Sequence, residues 1–348
     1  MNRTQNSSDI CNDENTVVLL DPQEAANWVW NDVDTLIITV IVPLVSAVGI
    51  IGNTAFLLSI FTIKHMQTSL NAYLCNLAVS DVMLLLSVVG WSLSVYTSSP
   101  ISLSTSLHSH GACIGMVLST HPWYFASLGF ITLISIERFF AVCYPLKHLT
   151  MKGAARTAKI STTVWIMSVL LSATFIPRYV HHEKCLVWPE DEMFKHLPTQ
   201  FHICTALNDL STSVNLVEIG SFVVCFIVNF VLYTLIIKAL SSRAVARRPE
   251  QKLENDVVRN QVARTLIING VVFFLCQVPL RFTSIDFFLD HVFGFKDLLD
   301  RKQYAVTLTI GRGFLLLNSC INPFLYIFIS RHYRRAIYDT FKTLSRSL

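Results

Sequence analysis

The chain carries little charge. Lysine, arginine, aspartate and glutamate make up 14% of its 348 residues, whereas a soluble globular domain carries about 25%. Hydrophobic residues make up 52%, and the mean hydropathy is +0.50. The formal net charge of +4 is too small to indicate nucleic acid binding. Because so much apolar surface needs lipid to cover it, the composition indicates a membrane protein.

Charge is almost absent from seven long stretches of the chain. They span roughly residues 35–63, 70–97, 111–143, 155–178, 212–241, 259–289 and 304–329. A membrane-spanning helix needs about 20 mostly apolar residues, and each stretch is long enough. Helices are expected because a helix satisfies its own backbone hydrogen bonds within lipid. The sequence therefore predicts an all-α membrane protein with a seven-transmembrane helix bundle.

Basic residues are concentrated on one side of these segments, and short loops rich in lysine and arginine mark the cytoplasmic side of a membrane. The basic residues that follow the odd-numbered segments are Lys64, Lys147, Lys152, Arg156, Lys159, Arg243, Arg247, Arg248, Lys252, Arg259, Arg264, Arg331, Arg334, Arg335, Lys342 and Arg346. The opposite loops hold acids such as Asp13, Glu14 and Glu190. This distribution predicts a multi-pass protein of the plasma membrane with its N-terminus outside.

Three parts of the chain follow from these segments. Residues 1–34 form an extracellular tail, which contains glycosylation acceptors at Asn2 and Asn6. Residues 35–329 contain the seven spans. Residues 330–348 contain a basic amphipathic stretch from Arg331 to Phe341, of the kind that lies on a membrane surface.

The nine cysteines fall into two groups, according to the side of the predicted membrane on which they lie. Five lie within spans or at the cytoplasmic edge, where thiols stay reduced. They are Cys75, Cys143, Cys225, Cys276 and Cys320. Cys11, Cys113, Cys185 and Cys204 lie on the oxidising side, and four cysteines allow three pairings.

Asp81 is an acid within the second span, where an ionisable side chain is costly and indicates function by default. The alternative is a protonated or hydrogen-bonded carboxyl with no further role. Neutral oxygens in other spans are available as neighbours. They are Asn53, Ser127, Asn318, Ser319 and Asn322. One carboxylate among neutral oxygens suits a small hard cation.

Glu137 and Arg138 close the third span. Alone they could be an interfacial ion pair with a snorkelling arginine. Their flanks, Ile134 to Leu146, resemble the Asp/Glu-Arg-Tyr motif of the rhodopsin-like, G-protein-coupled receptors, with Phe139 in place of tyrosine.

Further motifs extend this resemblance from about residue 35 to residue 340. Gly52-Asn53 resembles the signature motif of the first span in this family. The run 76–81 resembles the motif of the second span, and Trp165 resembles that of the fourth. Asn322-Pro323-Phe324-Leu325-Tyr326 is similar to the Asn-Pro-x-x-Tyr motif of the seventh span.

The resemblance implies roles for these residues. Arg138 would be held by Glu137 at rest and released to engage a heterotrimeric G protein, with Asn322, Pro323 and Tyr326 taking part in activation. The family's bridge from the third helix to the second outer loop would join Cys113 to Cys185 or Cys204. Cys204 is preferred because, like the family's partner, it lies close before the fifth span, which leaves Cys11 and Cys185 for a second bridge.

A sodium site is also implied. It would consist of Asp81, Ser127, Asn318, Ser319 and Asn322, and the ion would stabilise the inactive receptor. No other cofactor is expected.

Two features depart from the family pattern. Gln277 replaces the usual tryptophan before Pro279 in the sixth span. The fifth span lacks a proline, which leaves its register open, so Tyr233 is only one candidate for the activation tyrosine.

The ligand class follows from single positions. Thr120 stands where amine receptors have an aspartate, and Leu316 where opsins have the retinal lysine. Pro279-Leu280-Arg281 and the run from Arg312 to Ser319 resemble the thyrotropin-releasing-hormone receptor. Residues 64–68 and 71–81 resemble both that receptor and the neuromedin U receptors. The Gln277 motif and Ile176-Pro177-Arg178 instead resemble the FMRFamide-type receptors of invertebrates.

These likenesses imply a small neuropeptide ligand, bound by Arg281 and Arg312 together with Thr120, Tyr124 and Gln277. An arginine offers fixed donors that suit carbonyls, carboxylates and carboxamides. The alternative is that both arginines are neutralised internally, by Glu218, Asp286 or Asp290.

Other classes fit less well. A receptor for a non-peptide small molecule is the nearest alternative. A multi-span transporter would show inverted halves with broken helices, which the sequence does not show. No nucleophile–base constellation indicates an enzyme.

Overall fold

The computed structural model describes residues 15–102, 104, 109–150, 153–206, 208–246, 254–295, 298–299 and 301–347. Within them, eight long helices follow one another. They are α1 (Asp32–Thr62), α2 (Ser69–Ser98), α3 (His110–Cys143), α4 (Ala154–Ala173), α5 (Asn208–Ala246), α6 (Glu254–Phe293), α7 (Arg301–Ile329) and α8 (Arg331–Ser347). The first seven correspond to the predicted spans, and α8 to the amphipathic stretch. The seven-helix fold class is therefore confirmed.

Six of these helices, among the residues described, have the length and hydropathy of a membrane crossing. Among the first seven helices the exception is α4, whose first turns contain Arg156 and Lys159 and are followed by hydroxyl residues. Its 20 residues still extend about 30 Å at 1.5 Å each, the thickness of the hydrocarbon core. It ends at Ala173 rather than at residue 178, because Pro177 disfavours helical backbone before it and a 3₁₀ turn follows at Ile176–Arg178.

The bundle is organised around α3, which packs against α2, α4, α5 and α6. Large side chains such as Leu74 and Phe130 are buried in its interior. Equally apolar side chains face outward, among them Phe61 at 69% and Phe230 at 64% exposure. In water such exposure would be costly, so these surfaces are suited to lipid.

Prolines inside the described helices include Pro122 in α3, Pro279 in α6 and Pro323 in α7. Each removes a backbone hydrogen bond and favours a bend. Pro279 and Pro323 lie in the sixth- and seventh-span motifs, and Pro122 lies close to the candidate ligand residues Thr120 and Tyr124.

A small sheet covers one end of the bundle. Strands β2 (Tyr179–Val187) and β3 (Gln200–Ala206) form an antiparallel hairpin between α4 and α5, and β1 (Thr16–Val18) adds to β2 in parallel. None of these strands was predicted from the sequence. We call this the hairpin end of the bundle, and the end where α3 terminates the Arg138 end.

The sheet has its own apolar cluster. It consists of Leu19, Ala25, Ile101, Leu186, Phe194 and Phe201, with Trp28 packed against it. Residues 15–31 are therefore folded onto the hairpin rather than a free tail, and Trp30 Nε1 donates to Ser99 O at 2.9 Å. Asn2, Asn6 and Cys11 lie outside the described residues, so their predicted roles stay predictions.

Candidate functional site

A disulfide fixes the hairpin over α3. Cys113 lies in the first turn of α3 and is bonded to Cys204 of β3, with Cα atoms 5.9 Å apart. This confirms the pairing that the resemblance implied. Cys185 is also disulfide-bonded, and its backbone N–H donates to Asn15 O at 2.9 Å. Cys11, its predicted partner, is not among the described residues.

A group of buried and partly buried side chains lies between α3, α5 and α6, and we call it the polar cluster: Tyr124, Glu218, Phe222, Gln277 and Arg281. Arg281 Nη1 lies 2.5 Å from Glu218 Oε1, and its guanidinium carbon lies 5.0 Å from the centre of the Tyr124 ring. A second ring, Phe222, is 5.9 Å away. Arg281 is 6% exposed. The internal neutralisation of Arg281 therefore occurs, and Glu218 is the acid.

The polar cluster contains hydrogen-bonding atoms without protein partners. Tyr124 Oη, both amide atoms of Gln277 and Nε of Arg281 are buried and make no hydrogen bond. Nη1 of Arg281 is directed at Glu218. Gln277 and Arg281 are four residues apart on α6 and share a face. Buried polar atoms normally find a partner in protein, ligand or water.

The other two predicted ligand residues lie differently. Thr120 precedes Tyr124 by one turn of α3, is half-buried, and donates to Met116 O at 2.9 Å. Arg312 has an exposed side chain on α7. The structure therefore places Arg281, Tyr124 and Gln277 in one buried cluster and leaves Arg312 at a surface.

A second polar group surrounds Asp81 in the middle of the bundle. Asp81 is fully buried, and Asn322 Nδ2 donates to its Oδ2 at 2.6 Å. Ser127 and Ser319 lie close enough to the carboxylate to interact with it. Asn53 Nδ2 donates to Ser319 O at 2.9 Å and so connects α1 to the same region of α7.

The donor set around Asp81 fits a small cation. Asp81 Oδ1 and Asn318 Oδ1 are buried without a hydrogen-bond partner. The described residues hold no cluster of three or more histidine, cysteine, aspartate or glutamate side chains. One carboxylate with neutral oxygens is the set that a hard monovalent ion prefers, rather than a transition metal.

At the Arg138 end, Glu137 contacts a histidine. Its Oε1 lies 2.7 Å from His148 Nε2, in the short helix Pro145–Thr150 that follows α3. Among the described residues, the ion pairs do not include Glu137 with Arg138. Arg138 Nε is buried without a hydrogen-bond partner. The pairing that the resemblance implied at rest is thus not the arrangement seen.

The sequence was compared with models of known protein families. The model of the family "7 transmembrane receptor (rhodopsin family)" matches residues 52–326 of the chain. The chain belongs to this family. Like the other members, this receptor is not an enzyme.

Three relatives show the breadth of the family around this receptor. It is 26% identical to the [Phe13]-bombesin receptor of Bombina orientalis, over 86% of this chain and 74% of that protein. It is 24% identical to the type-1 angiotensin II receptor A of Xenopus laevis, over 86% and 77%. It is 23% identical to the C-C chemokine receptor 1-like protein 1 of Mus musculus, over 88% and 80%.

The receptor also contains contacts that sequence reasoning missed. The hydroxyls of Ser135 and Tyr233 are hydrogen bonded at 3.0 Å and join α3 to α5. A Cβ atom on Gly270 of α6 would overlap Tyr233 Oη. The glycine therefore makes room for the tyrosine. In the sequence, Tyr233 was identified only as one candidate for the activation tyrosine, and nothing indicated its contacts with Ser135 or Gly270.

The contact of α8 with the bundle was missed as well. Tyr333 is buried, and its hydroxyl donates to Asn71 Oδ1 of α2 at 3.0 Å. Burial raises the pKa of Tyr333 to about 12, so the hydroxyl keeps its proton at neutral pH. Asn269 Nδ2 donates to Tyr326 Oη at 3.3 Å, which ties α6 to the Asn-Pro-x-x-Tyr motif.

Proposed function

We propose that this receptor is activated by a small peptide that binds at the polar cluster and that it then drives nucleotide exchange on a heterotrimeric G protein. The supporting observation is the set of buried atoms without protein partners, on Tyr124, Gln277 and Arg281. A site that leaves such atoms unpaired discriminates strongly for ligands that supply the missing hydrogen bonds.

The chemistry of the polar cluster suits peptide groups. The Gln277 amide offers both donors and an acceptor, which is the complement of a backbone amide. Arg281 keeps donors beyond those directed at Glu218, and these suit carbonyl or carboxamide oxygens. Because Glu218 already balances the arginine charge, the ligand does not need to supply an anion.

The relatives favour the same ligand class. Their names refer to bombesin, angiotensin II and C-C chemokines, all of them peptides or small proteins. At identities of 23–26% these names support the class of ligand and do not specify the peptide.

The proposed G-protein surface is the Arg138 end. Basic residues are concentrated there, including Lys147, Arg156 and Arg334. In the proposal, outward motion of α6 at Pro279 would expose Arg138, while Tyr233 and Tyr326 hold the new arrangement through contacts to α3 and α6.

The proposed location is the plasma membrane, with the hairpin end outside the cell. Disulfides at Cys113, Cys185 and Cys204 suit an oxidising compartment. Cys143, at the Arg138 end, is a thiol rather than part of a disulfide, which suits the cytoplasm. An antibody to an epitope placed before residue 15 should label intact cells.

A sodium ion is proposed as the group held by Asp81, with Ser127, Asn318, Ser319 and Asn322 as the other candidate ligands. When bound it would supply positive charge to balance the buried carboxylate. Because the same side chains connect α2, α3 and α7, occupation of the site would favour one packing of these helices over another.

The decisive experiment is a screen of synthetic neuropeptides against cells that express the receptor, with G-protein nucleotide exchange as the readout. At least one peptide should activate the wild type, and Gln277→Leu should lose that response at equal surface expression. A response to non-peptide metabolites alone would favour the alternative ligand class. Substrate uptake without nucleotide exchange would overturn the receptor function.

A further inference from the structure

The hairpin presents two histidines on one face. In the β2–β3 pair, His181 is opposite Cys204, and Glu183 is opposite His202. Directly opposed side chains, and those two residues apart along a strand, share a face of the sheet. His181, Glu183 and His202 therefore lie on the face that carries the disulfide. His182 lies on the other face, together with Phe201 of the apolar cluster.

The two rings are in contact. The imidazoles of His181 and His202 are stacked, with centroids 5.3 Å apart and planes inclined by 23°. Nε2 of His181 is buried and makes no hydrogen bond. A buried ring nitrogen without a partner is costly in a folded protein, and here it lies beside a second imidazole.

We propose that His181 and His202 form a binding site for a zinc ion. Imidazole nitrogen is a preferred zinc ligand, and tetrahedral coordination at 2.0–2.1 Å places two ligand nitrogens about 3.3 Å apart. Rotation of the stacked rings about their side-chain bonds brings two nitrogens to that separation. Glu183, opposite His202, supplies a carboxylate on the same face.

The site binds zinc exchangeably. The described residues contain no ready-made cluster of three or more donors, so water molecules complete the coordination. The affinity for zinc is therefore that of an exchangeable, modulating ion and lower than that of a structural zinc site. Zinc is coordinated through the ring nitrogens of neutral imidazoles.

Zinc at this position would stiffen the hairpin. It would connect β2 to β3 directly beside Cys204, whose disulfide attaches the hairpin to α3. The ion would therefore act on the element that covers the hairpin end of the bundle. This inference does not depend on the identity of the ligand, because zinc binding can be measured on the receptor alone.

The test uses purified, chelator-treated receptor without agonist. Zinc should raise the apparent unfolding temperature of the wild type by about 3 °C or more at saturation. His181→Ala and His202→Ala should abolish the rise. His182→Ala is the matched control, since the neighbouring histidine lies on the opposite face, and it should keep the full rise.

A second measurement identifies the ligands. Copper(II) bound in place of zinc should show coupling to two imidazole nitrogens in its electron paramagnetic resonance spectrum, and to one in His202→Ala. If His181→Ala reduces folding, His181→Phe keeps an aromatic ring for stacking and removes the nitrogens. No zinc response in the wild type, or a response that persists in His181→Phe, would overturn the site.

Discussion

Glu137 Oε1 and His148 Nε2 lie 2.7 Å apart, so the acid of the Glu-Arg motif is held by a side chain outside α3. Both side chains are 16% exposed, which screens the contact less than at an open surface. A carboxylate held in this way has less tendency to pair with Arg138. His148 is therefore a positioning residue for Glu137.

The first prediction is that His148→Ala lowers basal nucleotide exchange. Without its histidine partner, Glu137 is available to Arg138, and the resting pairing becomes stronger. The lost hydrogen bond contributes about 0.5–1.5 kcal/mol, or roughly 2- to 10-fold in the equilibrium. Nucleotide exchange in membranes without agonist measures this effect.

Thr150→Ala is the control for this prediction, because the exposed Thr150 hydroxyl donates to Lys147 O at 2.8 Å within the same short helix and is not a partner of Glu137. Glu137→Gln in the His148→Ala background should restore exchange. Unchanged exchange in His148→Ala would show that the contact has no role in the resting equilibrium.

The second prediction concerns the ligand. Arg281→Lys should lower peptide potency roughly 10-fold or more, about 1.4 kcal/mol, because lysine cannot reproduce the planar guanidinium over Tyr124. Dose–response curves at matched surface expression measure it. Arg264→Lys, exposed on the same helix, is the control.

Arg312→Lys distinguishes the expectation drawn from the sequence from the one drawn from the structure. The family resemblance implies the same loss of potency as at Arg281, whereas the exposed position of Arg312 predicts a smaller loss. Full potency in Arg281→Lys would show that the cluster serves the fold and that the peptide binds elsewhere.

The third prediction concerns sodium. Raising sodium at constant ionic strength should weaken agonist binding to the wild type, and Asp81→Asn should remove this dependence, since the site has a single carboxylate. Agonist competition curves in sodium and in an organic cation measure it.

Ser87→Ala is the matched control in α2, because the Ser87 hydroxyl donates to Met83 O within its own helix at 2.8 Å. A sodium effect of unchanged size in Asp81→Asn would place the ion elsewhere.

The fourth prediction is that Gly270→Ala destabilises the receptor. The added methyl group would occupy the position of Tyr233 Oη, and overpacking of this kind costs about 1–3 kcal/mol. The apparent unfolding temperature measures the effect. Gly115→Ala and Gly220→Ala are controls in α3 and α5, since a methyl group added there would meet no atom of another element within 4 Å.

A double variant tests the cause of this effect. In a Tyr233→Ala background, Gly270→Ala should be nearly neutral, because the clashing ring is gone. An equal loss in both backgrounds would assign the effect to something other than the Tyr233 contact.

Hydropathy predicted the helices well, because every membrane-spanning helix needs an apolar stretch long enough to cross the lipid. The first helix begins at Asp32 and the third ends at Cys143, close to the predicted limits of 35 and 143. The end of α4 was placed too late because apolar residues continue past the turn at Pro177. The strands were missed because β2 has histidines and a lysine among its apolar residues, which weakens the alternating pattern.

The candidate site was predictable as a set of residue types and not as a set of contacts. Asp81 and Arg281 are conspicuous because charge is rare in the spans. Which acid pairs with Arg281 depends on how α5 and α6 are rotated, and Glu218, Asp286 and Asp290 were equally admissible from the sequence. Likewise, nothing local to Gly270 indicates that a tyrosine from α5 fills the space beside it.

The apolar cluster beneath the sheet has a consequence for how variants of this receptor will be recognised. Leu19, Ala25 and Phe201 are almost fully buried in it, although two of them precede the first membrane helix. A polar substitution at Leu19 would disrupt this cluster and expose its hydrophobic side chains. The quality-control chaperones of the cell recognise such surface during synthesis. Changes in this short segment should therefore appear as receptor that is retained and degraded, and not as receptor that reaches its destination and signals poorly.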